Sequence, residues 1–242
     1  MERHFDEQLE GLKSQLMKMS ALAEVMIADA VKSVVERDAD AISPVYEREE
    51  LVNHMQIEVD ETCLTLIALH QPAAGDLRFI MGAVKANSDL ERLADEAVNI
   101  VQKAEHLLKA PQLKPFEMIP EMAVIARGMV RDSLRAFVNR NMDLAREVLL
   151  RDDRLDELKA KIADVLTAYM TQDPAEVPHA LDLLLISRFL ERIGDHATNI
   201  AEVTIFVVEG LDIRHHSDQQ RLVKRLTTPV ASQEKPHLFG GR

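Results

Sequence analysis

Glu91-Arg92-Leu93-Ala94-Asp95-Glu96-Ala97-Val98-Asn99-Ile100 returns one hundred residues later as Glu191-Arg192-Ile193-Gly194-Asp195-His196-Ala197-Thr198-Asn199-Ile200. Six of the ten positions are identical: Glu, Arg, Asp, Ala, Asn and Ile. Working outward toward the N-terminus, the correspondence continues with an offset of 103, so that Met26 meets Met129, Asp29 meets Asp132, Val35 meets Val138, Arg37 meets Arg140 and Asp40 meets Asp143. At the same offset Glu49-Glu50-Leu51-Val52-Asn53 falls on Asp152-Asp153-Arg154-Leu155-Asp156. The three-residue change of offset fits a shorter loop in the second half, where deletions are tolerated. The chain is read as two units on one plan, residues 1–110 and 111–216, followed by a C-terminal extension, 217–242.

The local pattern says what each unit is made of. In the first run, about 5–37, Leu9, Leu12, Leu16, Met19, Ala23, Met26 and Ala30 step by alternating threes and fours, the seam of a left-handed helical bundle. Further runs cover about 44–70, 77–109, 117–139, 142–171 and 179–209. They are rich in Ala, Leu, Glu, Met, Arg and Lys, which favour helix. Proline-bearing breaks separate the runs, at Pro44, at Gln71-Pro72 through Asp76, at 111–120 and at Asp173-Pro174 through Pro178. Asp76 is expected to cap the third helix, and 217–226 to form a short helix. No segment alternates with period two. The predicted fold is all-α: two tandem three-helix bundles.

Composition removes several functions. The chain has 242 residues, with 29 basic and 41 acidic side chains and a net charge of −12, the wrong sign for nonspecific nucleic-acid binding. With Phe 7, Tyr 2 and Trp 0 it lacks the makings of a base-stacking platform. Charge interrupts every apolar stretch before a membrane span, and the N-terminus shows no apolar signal region. Cys63 is the only cysteine, so neither an internal disulfide nor a cysteine-rich metal site can form, and it is expected to be a packed thiol. The expected location is the cytoplasm, with the membrane reached only through partners.

The chemistry concentrates in the repeated blocks. Each third helix carries Glu-x-x-x-Asp-x-x-x-Asn: Glu91, Asp95 and Asn99 in the first unit, Glu191, Asp195 and Asn199 in the second. A spacing of four stacks these side chains on one helical face, where the two acids repel. The second helices add Asp152 and Asp156 in the second unit, and Glu49 and Asn53 in the first. If helices two and three of a unit are antiparallel, both ladders meet at the same level. Carboxylates and amides make a hard, oxygen-rich set suited to a metal ion such as magnesium, manganese, calcium or iron, with the less anionic first unit binding more weakly. Zinc also stays among the candidates. The bland alternative is that Arg92 and Arg192 pair with the acids and pin helices together. His196 is expected to be an exposed helical residue, with a ligand role as the alternative. No His-Glu-x-x-His, no phosphate loop and no mid-helix Glu-x-x-His is present.

The duplicated Leu-Glu-Arg-x-x-Asp blocks at 90–95 and 190–195, with the Gln71-Pro72-x-x-x-Asp76-Leu77-Arg78 turn, resemble the PhoU family over about 1–216. The resemblance implies a tandem of three-helix bundles whose acidic motifs bind metal ions in some members. Carried over, the motif positions are Glu91, Asp95, Glu191 and Asp195, with Asp152 and Asp156 facing the latter. Asn53 departs from a full acid pair. The resemblance also implies a non-enzymatic negative regulator of phosphate-starvation signalling and phosphate uptake. Its expected partners are the ATPase subunit of a phosphate ABC transporter and a phosphate-sensing histidine kinase. A homodimer is a further expectation. The competing reading is a metal-dependent enzyme, a phosphatase or oxidase using the carboxylate ladders.

Overall fold

A computed structural model of the chain describes residues 2–109 and 117–210. Among these residues it contains six α-helices: α1 (Glu2–Val35), α2 (Ser43–His70), α3 (Ala74–Leu107), α4 (Met118–Asn139), α5 (Met142–Gln172) and α6 (Val177–Glu209). Short 3₁₀ turns at Ala39–Ala41 and Pro174–Glu176 precede α2 and α6. The all-α reading holds. The short helix expected at 217–226 lies outside the described residues.

The breaks act through local chemistry. Pro44 and Pro178 sit in first turns, where a missing N–H costs nothing. Asn141 caps α5 by accepting from the Asp143 and Leu144 amides, and its repeat counterpart Asp38 accepts from the Asp40 amide. Arg37 and Arg140, repeat partners, both take left-handed backbone at helix ends, with φ of 55° and 52°. Gly210 closes α6 at φ 73°, a conformation that suits glycine. Asp76 corrects the sequence reading. It is not the cap of α3, because the Leu77 amide bonds the Ala73 carbonyl and starts the helix at Ala74. Asp76 instead lies in the first turn, where its negative charge suits the helix dipole, and pairs with Arg140 at 3.3 Å.

Within each trio, short loops make sequential helices antiparallel neighbours. Helices α1, α2 and α3 pack together, as do α4, α5 and α6, and the trios join along α3–α6 and α1–α4. Thus α2 and α5 flank a central layer of the other four. The predicted α1 seam, Leu9 through Ala30, is buried throughout. One hydrophobic core runs through both trios. At the junction Phe79 and Phe137 stack with ring centroids 4.9 Å apart. Gly82 permits that approach, since a Cβ there would meet Val207 at 2.8 Å and Phe137 at 2.9 Å.

Candidate carboxylate site

The second-unit ladder sits at a close contact between α5 and α6. The contact rests on Gly194: a Cβ there would strike Leu155 Cδ1 at 2.6 Å and come within 3.5 Å of Asp152 Oδ1. The first unit solves the same crossing with the volumes exchanged, Ala94 against Val52, all four residues being buried. Asp152 is thereby drawn toward α6 and partly out of water.

Its electrostatics follow. Burial, then the charges of Asp195, Asp156, Asp153 and Glu191, push the Asp152 carboxyl up to about 6. Burial and the charges of Glu191 and Asp156 also raise Asp195, against His196 and Lys159. Among the described residues, the direct ion pair of the group is that of Glu191 with Lys159 Nζ at 2.6 Å. Asp152 and Asp156 on α5 and Glu191 and Asp195 on α6 thus lie near enough to feel one another's charge. In the first unit, burial and Asp95 raise Glu91, Arg92 opposes them, and Glu49 adds to the rise. Glu49, Glu91 and Asp95 thus also converge, and Asn53 donates its amide to Glu49.

Among the described residues, no three His, Cys, Asp or Glu side chains stand as a ready metal cage. In donor chemistry the second-unit set still fits a hard cation. It offers four carboxylates, two of them raised by burial and then by the neighbouring negative charges, beside Lys159.

The remaining sequence-picked residues divide differently. Asn99 and Asn199 do not extend the ladders: Asn99 donates to Glu96 and Asn199 to Asp89, both at 3.1 Å. Arg192 pairs with buried Glu96 across the α3–α6 seam at 3.1 Å, an acid outside the ladders. Arg92 is exposed and makes no such pair among the described residues. His196 is not the exposed residue expected. It is half-buried, with Nδ1 2.9 Å from Asp89 Oδ1, in the same seam. Asp89 and Glu96 were missed because neither recurs in the other unit, where Phe189 and His196 stand. Cys63 is buried as expected, and burial with the charge of Asp60 pushes its thiol up to about 12.

The family model described as "PhoU domain" matches this chain twice, over residues 16–104 and 119–204. This chain belongs to the PhoU family. Among PhoU relatives, it is 36% identical over 240 residues to the phosphate-specific transport system accessory protein PhoU homolog of Pseudomonas putida, covering 98% of this chain and 93% of that one. It is also 36% identical to the PhoU homolog of Aquifex aeolicus, over 88% of this chain and 97% of that one. The crystal structure of PhoU from Pseudomonas aeruginosa superposes with a TM-score of 0.82 at 34% identity, covering 86% of this chain and 100% of that one. The phosphate transport system regulatory protein PhoU from Streptococcus pneumoniae gives 0.81 at 25% identity, covering 87% of this chain and 100% of that one. The all-helical PhoU architecture is therefore shared along most of the chain. No described helix is long and apolar enough to cross a membrane.

Proposed function

We propose that this chain is a negative regulator of phosphate-starvation signalling and phosphate uptake. It works in the cytoplasm as a non-enzymatic adaptor between the ATPase subunit of a phosphate ABC transporter and a phosphate-sensing histidine kinase. The observation that carries the reading is the near full-length likeness to proteins named as accessory to a phosphate-specific transport system. The absence of a membrane-crossing helix among the described residues agrees with contact to the membrane through partners.

The carboxylate sites belong to the same proposal. Asp152, Asp156, Glu191 and Asp195 would hold a hard cation in the second unit, and Glu49, Glu91 and Asp95 a weaker one in the first. A bound ion would supply positive charge that offsets the repulsion raising Asp152 and Asp195, and so tie α5 to α6. The residues' own part is to gather that charge on two helices that Gly194 lets approach closely.

The test is a pulldown of the full-length chain with each partner, the ATPase subunit and the cytoplasmic region of the kinase, with and without phosphate and metal. The expected result is retention of both, and a starvation reporter that stays on when the gene is deleted. Failure to retain either partner under all four conditions, with a normally regulated reporter, would overturn the reading. Metal-dependent turnover of a phosphate ester lost in Glu191→Gln with Asp195→Asn would favour the enzyme.

A further inference from the structure

Lys159 stands inside the second-unit ladder. Its Nζ lies 2.6 Å from Glu191 Oε1. The bond to Glu191 raises the pKa of the ammonium, partial burial opposes the rise, and the charges of Glu191, Asp156 and Asp195 add to it. Three of the four carboxylates therefore act on one ammonium from two helices, Asp156 from its own α5 and Glu191 and Asp195 from α6. The arrangement is particular to this unit. At the offset of 103 the first unit has Gln56, and Glu91, the counterpart of Glu191, makes no ion pair among the described residues. The unit with more carboxylates is the one that carries its own counter-ion.

A hard cation takes carboxylate oxygens at about 2.0–2.6 Å. An ion and an ammonium on the same Glu191 carboxylate would repel each other across a few ångströms. Lys159 is free to withdraw. Its side chain is 39% exposed, and it lines an open cleft of about 790 Å³ between α5 and α6. The acids lining that cleft are those of the ladder, Asp156, Glu191 and Asp195, and the other charged residues there are Arg188 and Arg192. An ammonium displaced from Glu191 along the cleft therefore meets water, not another carboxylate, so its departure opposes ion binding without compensation.

We propose that Lys159 is the resident counter-ion of the second-unit carboxylates: in metal-free protein it neutralises them, and it has to leave Glu191 for a divalent cation to bind. This rests on the metal reading of the same four acids given above. Lys159 then sets the ion concentration at which the second unit fills, and holds its affinity below what four carboxylates would give alone.

The experiment titrates Mn²⁺ into metal-free, full-length protein against a fluorescent chelator. Glu49→Gln, Glu91→Gln and Asp95→Asn remove the first-unit set, so that the second unit alone reports. In that background Lys159→Gln, which copies the first unit, is expected to bind Mn²⁺ about tenfold more tightly than its parent, whereas Lys159→Arg stays within about threefold of it. A second readout is thermal. Without metal Lys159→Gln should melt below its parent, because the acids have lost their counter-ion, and Mn²⁺ should raise its melting point by more. Lys159 is partly exposed, and an unchanged helical circular dichroism spectrum certifies folding. Equal or weaker binding by Lys159→Gln would overturn the counter-ion role and leave the metal reading standing. A tenfold gain in Lys159→Arg as well would assign the effect to fit instead of charge and overturn it too. Binding by none of the proteins, with melting points insensitive to Mn²⁺, would overturn the metal reading and the counter-ion role together.

Discussion

Arg151 Nη1 lies 2.6 Å from Asp132 Oδ2 and ties α5 to α4. The pair is duplicated: at the same offset of 103, Arg48 Nη1 lies 2.7 Å from Asp29 Oδ2 and ties α2 to α1. Each flanking helix is thus pinned to the first helix of its own trio by a guanidinium near its start, and α5 also by Arg154, whose Nη2 lies 2.7 Å from Glu121 Oε1. The two pins differ in depth. Asp132 is only 9% exposed, whereas Asp29 is half-buried.

Removing the guanidinium at the deeper pin leaves a carboxylate with little water. Burial pushes Asp132 up, but hydrogen bonds from Arg151 and Arg131 outweigh it and hold the carboxyl below its usual range. Arg151→Met is expected to cost about 2 kcal/mol at neutral pH, below the full price of breaking a buried pair because Arg151 keeps some solvent. A depressed folded pKa gives stability that is present above the unfolded value near 3.9 and lost as pH falls through the folded one. The difference between native and Arg151→Met should therefore shrink below about pH 4. Urea melts across pH 3 to 7 read this directly, and a constant difference would refute it.

Asp152 has the opposite sign. Its folded carboxyl, at about 6, lies above the ordinary carboxylate range, so the folded state binds the proton more tightly than the unfolded chain. Stability then falls as pH rises from about 4 to about 6. In metal-free protein, Asp152→Asn is expected to gain about 1 kcal/mol at pH 7, a figure reduced for the solvent still reaching the group. Near pH 4 the gain should vanish. Chemical denaturation in the presence of a chelator at the two pH values is the measurement.

The crossing at Gly194 predicts a compensating pair. Gly194→Ala forces a methyl group against Leu155 and should cost about 1–3 kcal/mol. Leu155→Val, which copies the first unit, should cost about 1 kcal/mol alone. Together they should cost less than their sum, since the double variant recreates the Ala94–Val52 arrangement. A double-mutant cycle by thermal melting reads the coupling, and strict additivity would show that the two crossings are not equivalent.

Elemental analysis addresses the carboxylates. Protein purified without a nickel column is expected to carry metal that is lost in Asp152→Asn, Asp156→Asn, Glu191→Gln, Asp195→Asn. Protein that takes up no ion after loading with iron, manganese, magnesium, calcium or zinc would leave the ladder as a set of helix-facing acids with Lys159 as partner.

The six helices were legible because proline, turn residues and the three–four spacing of α1 all act locally. The start of α3 was misread because Asp76 has the right chemistry for a cap, while the Ala73 carbonyl fixes the helix start. In the site, the offset of the repeat located Asp152, Asp156, Glu191 and Asp195 on facing helices. The same offset aligns Arg48 with Arg151. The α3–α6 seam was invisible to that method. Its residues, Asp89, Glu96, Arg192, His196 and Asn199, act between the units, and a comparison of the units with each other reports only what they share. The loss of Asn99 and Asn199 from the ladder has the same cause, since their partners lie toward the seam.

That seam is lopsided in its ion pairs. Arg192 meets Glu96, while among the described residues the mirror positions, Arg92 and His196, form no pair with each other, His196 turning to Asp89. In a symmetric association of two second halves, each Arg192 would face a histidine. Two first halves would face Arg92 with Glu96 twice over. The ion pair alone therefore does not choose unlike halves: two first halves would make it twice, the tandem makes it once and two second halves not at all, so the mixed joint is held by the covalent linkage and by the packing of α3 on α6.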